Sequence, residues 1–192
     1  KSSNIIRDLD LLKEINSKIK CVVQMTLTTF DENLCQKLEP GVCTTQRRIE
    51  VLKELHKNGI PTIVWLTPIL PFINDSQENI LKILEECHEA GVKGIICFGM
   101  GVTLREGSRE YYYKQLDRLF PGMKEKYQMT YNDQYTLNSP HNRDLMNLFF
   151  KKCQEYQMMC NYLEIFEYLQ EFEEKTPIKK KDIHDFEQLS LF

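Results

Sequence analysis

The sequence has no C-x-x-C pair, no H-E-x-x-H or H-x-H cluster and no glycine-rich phosphate loop. Its seven cysteines (Cys21, Cys35, Cys43, Cys87, Cys97, Cys153, Cys160) are odd in number and scattered, which excludes a zinc or redox site of the usual spacing. His56, His88, His141 and His184 are equally dispersed, so a metal site made only from this chain is not expected. Without a phosphate loop, a generic α/β enzyme acting on a small phosphorylated substrate is disfavoured. Positive charge is not in excess: 25 Lys plus Arg against 28 Asp plus Glu leave a net charge of −3. Phosphate attraction is therefore not its main business. The longest apolar stretch, Ile63 to Ile73, is broken by Thr67, Pro68 and Pro71 and is too short to span a bilayer. No basic-then-apolar leader opens the chain, so the expectation is a cytoplasmic protein with reduced thiols in its core.

What is present is the composition of a folded domain, 42% hydrophobic and 28% charged over 192 residues. Ile5, Leu9, Leu12, Ile15 and Ile19 recur at helical spacing. Lys20 to Leu27 is an apolar, β-branched run that reads as a buried strand. A helix over Gln46 to Asn58 follows, with Gly59 as a left-handed cap. Ile60 to Leu66 is a second strand. Asp75 with Glu78 three residues on predicts a capping box before Ile80, Ile83, Leu84 and Cys87. That helix ends at Gly91, and Gly94 to Phe98 is a third strand. The alternation predicts parallel strands joined by right-handed crossovers, and their continuous hydrophobicity predicts a sheet covered on both faces. Three strands cannot close a barrel, and Cys21 to Leu27 would be an exposed edge. Because the first residue is Lys1 and not Met, we expect further strands upstream in a longer parent.

Beyond Arg105 the texture turns polar and helix-rich. Helices are predicted over Glu106 to Phe120, from Ser139-Pro140 through Cys153, and over Tyr162 to Phe172, with a loop from Met123 to Asn138. The expected organisation is βα units over 1–104, a helical extension over 105–175 and a flexible tail over 176–192.

In parallel α/β folds, sites form at the C-terminal ends of strands. Thr26-Leu27-Thr28-Thr29 ends the first strand, where its hydroxyls serve either a ribose or carboxylate, or a cap. Thr67 through Asp75 ends the second; its prolines and apolar side chains suit a flat heterocycle, or simply form a rigid loop. Gly99 and Gly101 end the third and admit close approach to the backbone. Glu39 and Arg48 are expected to pair, pinning a loop to the next helix. Tyr111-Tyr112-Tyr113 is expected mainly to pack, because consecutive helical residues face different directions. Lys179-Lys180-Lys181 reads as a solvated segment.

Together, Arg7-Asp8-Leu9-Asp10-Leu11-Leu12, Thr26 to Thr29, Lys37-Leu38-Glu39-Pro40-Gly41, Arg48-Ile49-Glu50 and Gly59 through Pro68-Ile69-Leu70-Pro71 to Asn74-Asp75 resemble the C-terminal part of radical S-adenosylmethionine proteins related to spore photoproduct lyase. The resemblance covers about Lys1 to Gly101. It implies an α/β fold, the C-terminal half of a partial (β/α) TIM-type barrel followed by the helical extension. It also implies S-adenosylmethionine and a [4Fe–4S] cluster as cofactors, with reductive cleavage to a 5′-deoxyadenosyl radical, and for the parent a role in bacterial DNA repair with DNA as substrate. By this resemblance Lys1 reaches the carboxylate of S-adenosylmethionine, Thr26 and Thr28 sit near its amino acid or ribose, and Leu70 and Pro71 lie along the adenine. The cluster-binding C-x-x-x-C-x-x-C is absent from this sequence, so the chain alone is expected to be inactive.

The final residues, Gln188-Leu189-Ser190-Leu191-Phe192, are similar to the pentapeptide by which bacterial repair and replication proteins dock on the DNA sliding clamp. A tethered tail presenting Leu189, Leu191 and Phe192 to an apolar pocket, with Gln188 hydrogen bonding, suits that role. The alternative function is thus a non-catalytic module recruited to the clamp.

Overall fold

The computed structural model describes residues 1–172. A 3₁₀ turn, Ser3–Asp8, leads into α1 (Leu9–Lys18), then β1 (Val23–Thr26), α2 (Glu32–Leu38), α3 (Thr45–Lys57), β2 (Thr62–Trp65), α4 (Gln77–Glu89) and β3 (Gly94–Ile96). The remainder is β4 (Gly101–Thr103), α5 (Ser108–Leu119), α6 (Met123–Tyr131), β5 (Thr136–Asn138), α7 (Asn142–Glu155) and α8 (Tyr162–Gln170). β1, β2 and β3 form one parallel sheet in that order, with Met25 beside Val64 and Val64 beside Ile95. The molecule is α/β, as its alternating elements predict.

Both faces of the sheet are covered. Met25, Val64 and Ile95 face a core shared with Ile49, Leu52 and Leu55 of α3, Ile80, Ile83 and Leu84 of α4, and Leu145 and Phe149 of α7. Ile63 and Ile96 face the other way, against Ile165, Phe166 and Leu169 of α8. Alternate side chains of a strand point to opposite faces, so a continuously apolar strand needs a helix on each. β1 is an edge strand. The outer edge of β3 is taken by Met159, whose carbonyl accepts from Ile95 N at 2.8 Å and whose N–H donates to Lys93 O at 3.0 Å. Gly94 permits this approach, since a Cβ there would lie 2.9 Å from the Met159 Cβ.

Three local expectations need correction. The cap of α4 is Ser76, whose hydroxyl accepts from Asn79 N at 3.1 Å; Asp75 is buried and accepts instead from the Ser139 hydroxyl at 2.5 Å. The segment 123–138 is not a loop, because α6 and β5 occupy most of it. Tyr127 and Tyr131, four residues apart, face one side of α6 and enter a second core with Leu104, Tyr113, Leu116 and Leu137. Third, Gly101 serves strand pairing, while Gly99 has room for a Cβ and is set apart by its φ of 144°. β4 pairs antiparallel with β5, and a Cβ on Gly101 would meet the Leu137 carbonyl oxygen at 2.6 Å. The helical extension therefore carries a strand, and its α7 packs on α4 within the same core as the βα units.

Candidate functional site

A cavity of about 350 Å³ lies at the C-terminal end of the parallel sheet. Thr28, just past β1, and Pro68, Leu70, Ile73 and Asn74, past β2, form its base. The loop after α2 contributes Glu39 and Pro40, and α5 closes the far side with Tyr111, Tyr112 and Leu116. Most of this wall is apolar or aromatic, with a few convergent polar groups, as in small-molecule sites generally.

The polar side of the cavity is built on Arg48, which is fully buried. Its Nε donates to Cys43 O at 2.9 Å and its Nη1 to Thr26 O at 3.1 Å. Its Nη2 pairs with Glu39 Oε2 at 2.5 Å, while Glu39 Oε1 pairs with Lys1 Nζ. The expected Glu39–Arg48 bridge is present, and Lys1 joins it at the cavity wall. Burial pushes the Glu39 carboxyl up, but hydrogen bonds from Lys1 and Arg48 together outweigh that and hold it below the usual carboxylate range. A buried guanidinium needs such partners, since an unpaired charge there would be costly.

Asn74 locks the two strand-end loops together. Its side chain accepts from Leu70 N at 2.5 Å and donates to Thr28 O at 2.8 Å. Asn79 of α4 donates to the same Thr28 carbonyl at 3.1 Å. On the opposite wall, Tyr112 Oη donates to Tyr127 Oη at 3.1 Å, and Tyr127 Oη donates to Pro71 O at 2.6 Å. Burial pushes the Tyr112 hydroxyl up to about 12 despite the Tyr127 hydrogen bond, which lowers it.

The cavity brings together Lys1, Thr28 and Leu70 from the residues singled out in the sequence. Thr26 and Pro71 are not on its wall. Thr26 ends β1 beside Trp65, and Pro71 is buried with its carbonyl turned toward Tyr127. Gln188, Leu189, Ser190, Leu191 and Phe192 lie outside the described residues, as does Lys179-Lys180-Lys181. Sequence reasoning missed α5 as a cavity wall. Tyr111 and Tyr112 face the cavity while Tyr113 packs in the second core, a division that helical geometry allowed but that nothing in the sequence oriented. Among the described residues, no group of three or more His, Cys, Asp or Glu could hold a metal ion, and all seven cysteines are free thiols. No described helix is long and apolar enough to cross a membrane.

No family model matches the chain. It is similar to an uncharacterized protein of Mycobacterium tuberculosis, 28% identical over 131 residues, which are 68% of this chain and 38% of that protein. An uncharacterized protein of Methanocaldococcus jannaschii is 36% identical over 75 residues, 39% of this chain and 28% of the relative. An uncharacterized protein of Acidianus two-tailed virus is 28% identical over 110 residues, 56% of this chain and 35% of the relative. The chain thus matches well under half the length of these relatives.

Proposed function

We propose that this chain is the C-terminal part of a bacterial, cytoplasmic radical S-adenosylmethionine enzyme related to spore photoproduct lyase, its three βα units belonging to a partial (β/α) barrel. The observation that carries the reading is the cavity at the carboxyl ends of the parallel strands, lined by Lys1, Thr28, Leu70 and Glu39, with Arg48 paired to Glu39 behind it. Crevices at that end of a parallel sheet are the usual ligand position.

The cavity fits the nucleoside of S-adenosylmethionine: Pro68, Leu70, Ile73 and Tyr112 offer flat apolar surface to a heterocycle. Thr28 and Asn74 offer polar atoms beside it, and the Lys1 ammonium, held by Glu39, suits a carboxylate. Thr26 and Pro71 act from behind the wall: the Thr26 carbonyl receives Arg48, and the Pro71 carbonyl receives Tyr127. When bound with a [4Fe–4S] cluster, S-adenosylmethionine supplies radical chemistry by reductive cleavage; this chain's residues bind and orient it and exclude water from the apolar wall. The sequence carries no C-x-x-x-C-x-x-C, so on this reading the cluster's ligands belong to the rest of the parent.

Calorimetric titration of the chain with S-adenosylmethionine tests the site. Saturable binding, weakened about tenfold or more by Leu70→Asp through loss of apolar contact, is the expected result. Absence of saturable binding overturns the assignment. Anaerobic reconstitution of the parent tests the class, since a parent showing no charge-transfer absorption is not an iron–sulfur protein. The tail bears on DNA: Gln188 to Phe192 would tether the parent to the sliding clamp, and unchanged clamp affinity after their deletion excludes it.

A further inference from the structure

The cavity at the carboxyl end of the sheet carries more positive charge than S-adenosylmethionine calls for. The charged residues on its wall are Lys1, Lys37, Glu39 and Arg118. Glu39 is the acid among them, and both of its oxygens are committed, Oε2 to Arg48 and Oε1 to Lys1. Lys37, on α2, and Arg118, near the end of α5, form no ion pair among the described residues. Asp117, beside Arg118 in the chain, is taken by Lys124 at 2.9 Å. The Lys37 ammonium lies over the Phe120 ring, 4.1 Å from its centre, and this contact brings it to the end of α5 that carries Arg118.

Two exposed cations without an acid therefore stand on the wall of an otherwise apolar and aromatic cavity. Low-dielectric walls focus the field of such charges into the cleft and draw in ligands of opposite sign. S-adenosylmethionine is not of opposite sign: its ammonium and sulfonium outnumber its one carboxylate, and Lys1 already suits that carboxylate. A guanidinium and an ammonium without acidic partners are instead the usual equipment for phosphate.

We propose that the cavity also takes free nucleoside 5′-phosphates, with the base on the wall of Pro68, Leu70 and Tyr112 and the phosphates at Lys37 and Arg118. The inference rests on the reading of this cavity as a nucleoside site and adds a regulation to it. At about 350 Å³ the cavity is at the small end of ligand sites and holds one such molecule, not two. Nucleotide and S-adenosylmethionine thus exclude each other, and the level of free nucleotide sets the fraction of sites open to S-adenosylmethionine.

Calorimetric titration of the chain with adenosine and with ADP tests this, followed by titration with S-adenosylmethionine in the presence of ADP. ADP is expected to bind about tenfold more tightly than adenosine, the effect of a charge-assisted contact. Added salt should erode that lead while leaving adenosine binding unchanged. The double variant Lys37→Gln with Arg118→Gln should abolish the lead; both residues are exposed, and Arg118→Gln alone should reduce it if the double variant fails to fold. ADP should also weaken the apparent affinity for S-adenosylmethionine. An ADP affinity no higher than that of adenosine, or a lead that survives Arg118→Gln undiminished, overturns the proposal. Binding of S-adenosylmethionine without any ADP advantage overturns it alone, and binding of neither nucleoside nor S-adenosylmethionine overturns the nucleoside reading with it.

Discussion

Replacing Arg48 by Met removes a guanidinium that holds three parts of the site at once. The methionine fills part of the same volume, so the loss is mainly polar. Thr26 O and Cys43 O lose their donors, and Glu39, with its side chain 14% exposed, keeps only Lys1 as a partner. Removing one partner of a buried ion pair costs about 3–5 kcal/mol, because the other charge is left uncompensated. Here Lys1 still compensates part of Glu39, which favours the lower end, while the two carbonyls favour the upper. We expect a loss of about 4 kcal/mol, a large share of the roughly 5–15 kcal/mol of an ordinary domain. Urea unfolding followed by far-ultraviolet circular dichroism measures it as a drop in midpoint at unchanged slope. The double variant Arg48→Met with Glu39→Leu should recover much of the loss, since it removes the stranded charge. A single-variant loss below about 1 kcal/mol, or no recovery in the double variant, would refute the view of Arg48 as a buried anchor.

Glu39 titrates below the usual carboxylate range, so its pairs add stability that is fully present above its unfolded pKa and is lost as pH falls through the lowered folded value; acid unfolding should begin at higher pH in Arg48→Met. Burial raises Tyr112 and Tyr131 to about 12 each, so their contribution holds below the unfolded tyrosine pKa and is lost as pH climbs through about 12. Near-ultraviolet absorbance titration should show these two ionising after the exposed tyrosines. Asn74→Ala breaks the link between Thr28 and Leu70, with an expected cost of about 2 kcal/mol in denaturant unfolding. Gly101→Ala drives a Cβ against the Leu137 carbonyl and should cost about 1–3 kcal/mol, because backbone cannot step aside as a side-chain tip can.

Much of the first hundred residues is legible from local signals. Gly59 caps α3 at φ 71° and Gly91 follows α4 at φ 68°, as two glycines after amphipathic helices imply. Glu39 and Arg48 meet, being opposite charges on a loop and the helix that follows it. Asp75 misled, because Asp and Ser are both good caps and only the position of Ser139, 64 residues away, draws the aspartate inward. The segment 123–138 misled because its polar residues masked the Tyr127–Tyr131 stripe. Three-residue strands such as β4 and β5 carry too little pattern to be recognised alone.

The order of local patterns was enough to determine an α/β chain with three parallel strands between helices, because hydrophobic period and glycine caps act over a few residues. Three matters belonged to the tertiary structure. It set α5 as the wall opposite Leu70 and brought Lys1 onto Glu39. It also returned Met159 to the edge of β3 after the Gln157 turn. Each depends on contacts between distant segments, whose partners are chosen by packing and hydrogen-bond satisfaction across the whole fold and leave no periodic trace in the chain.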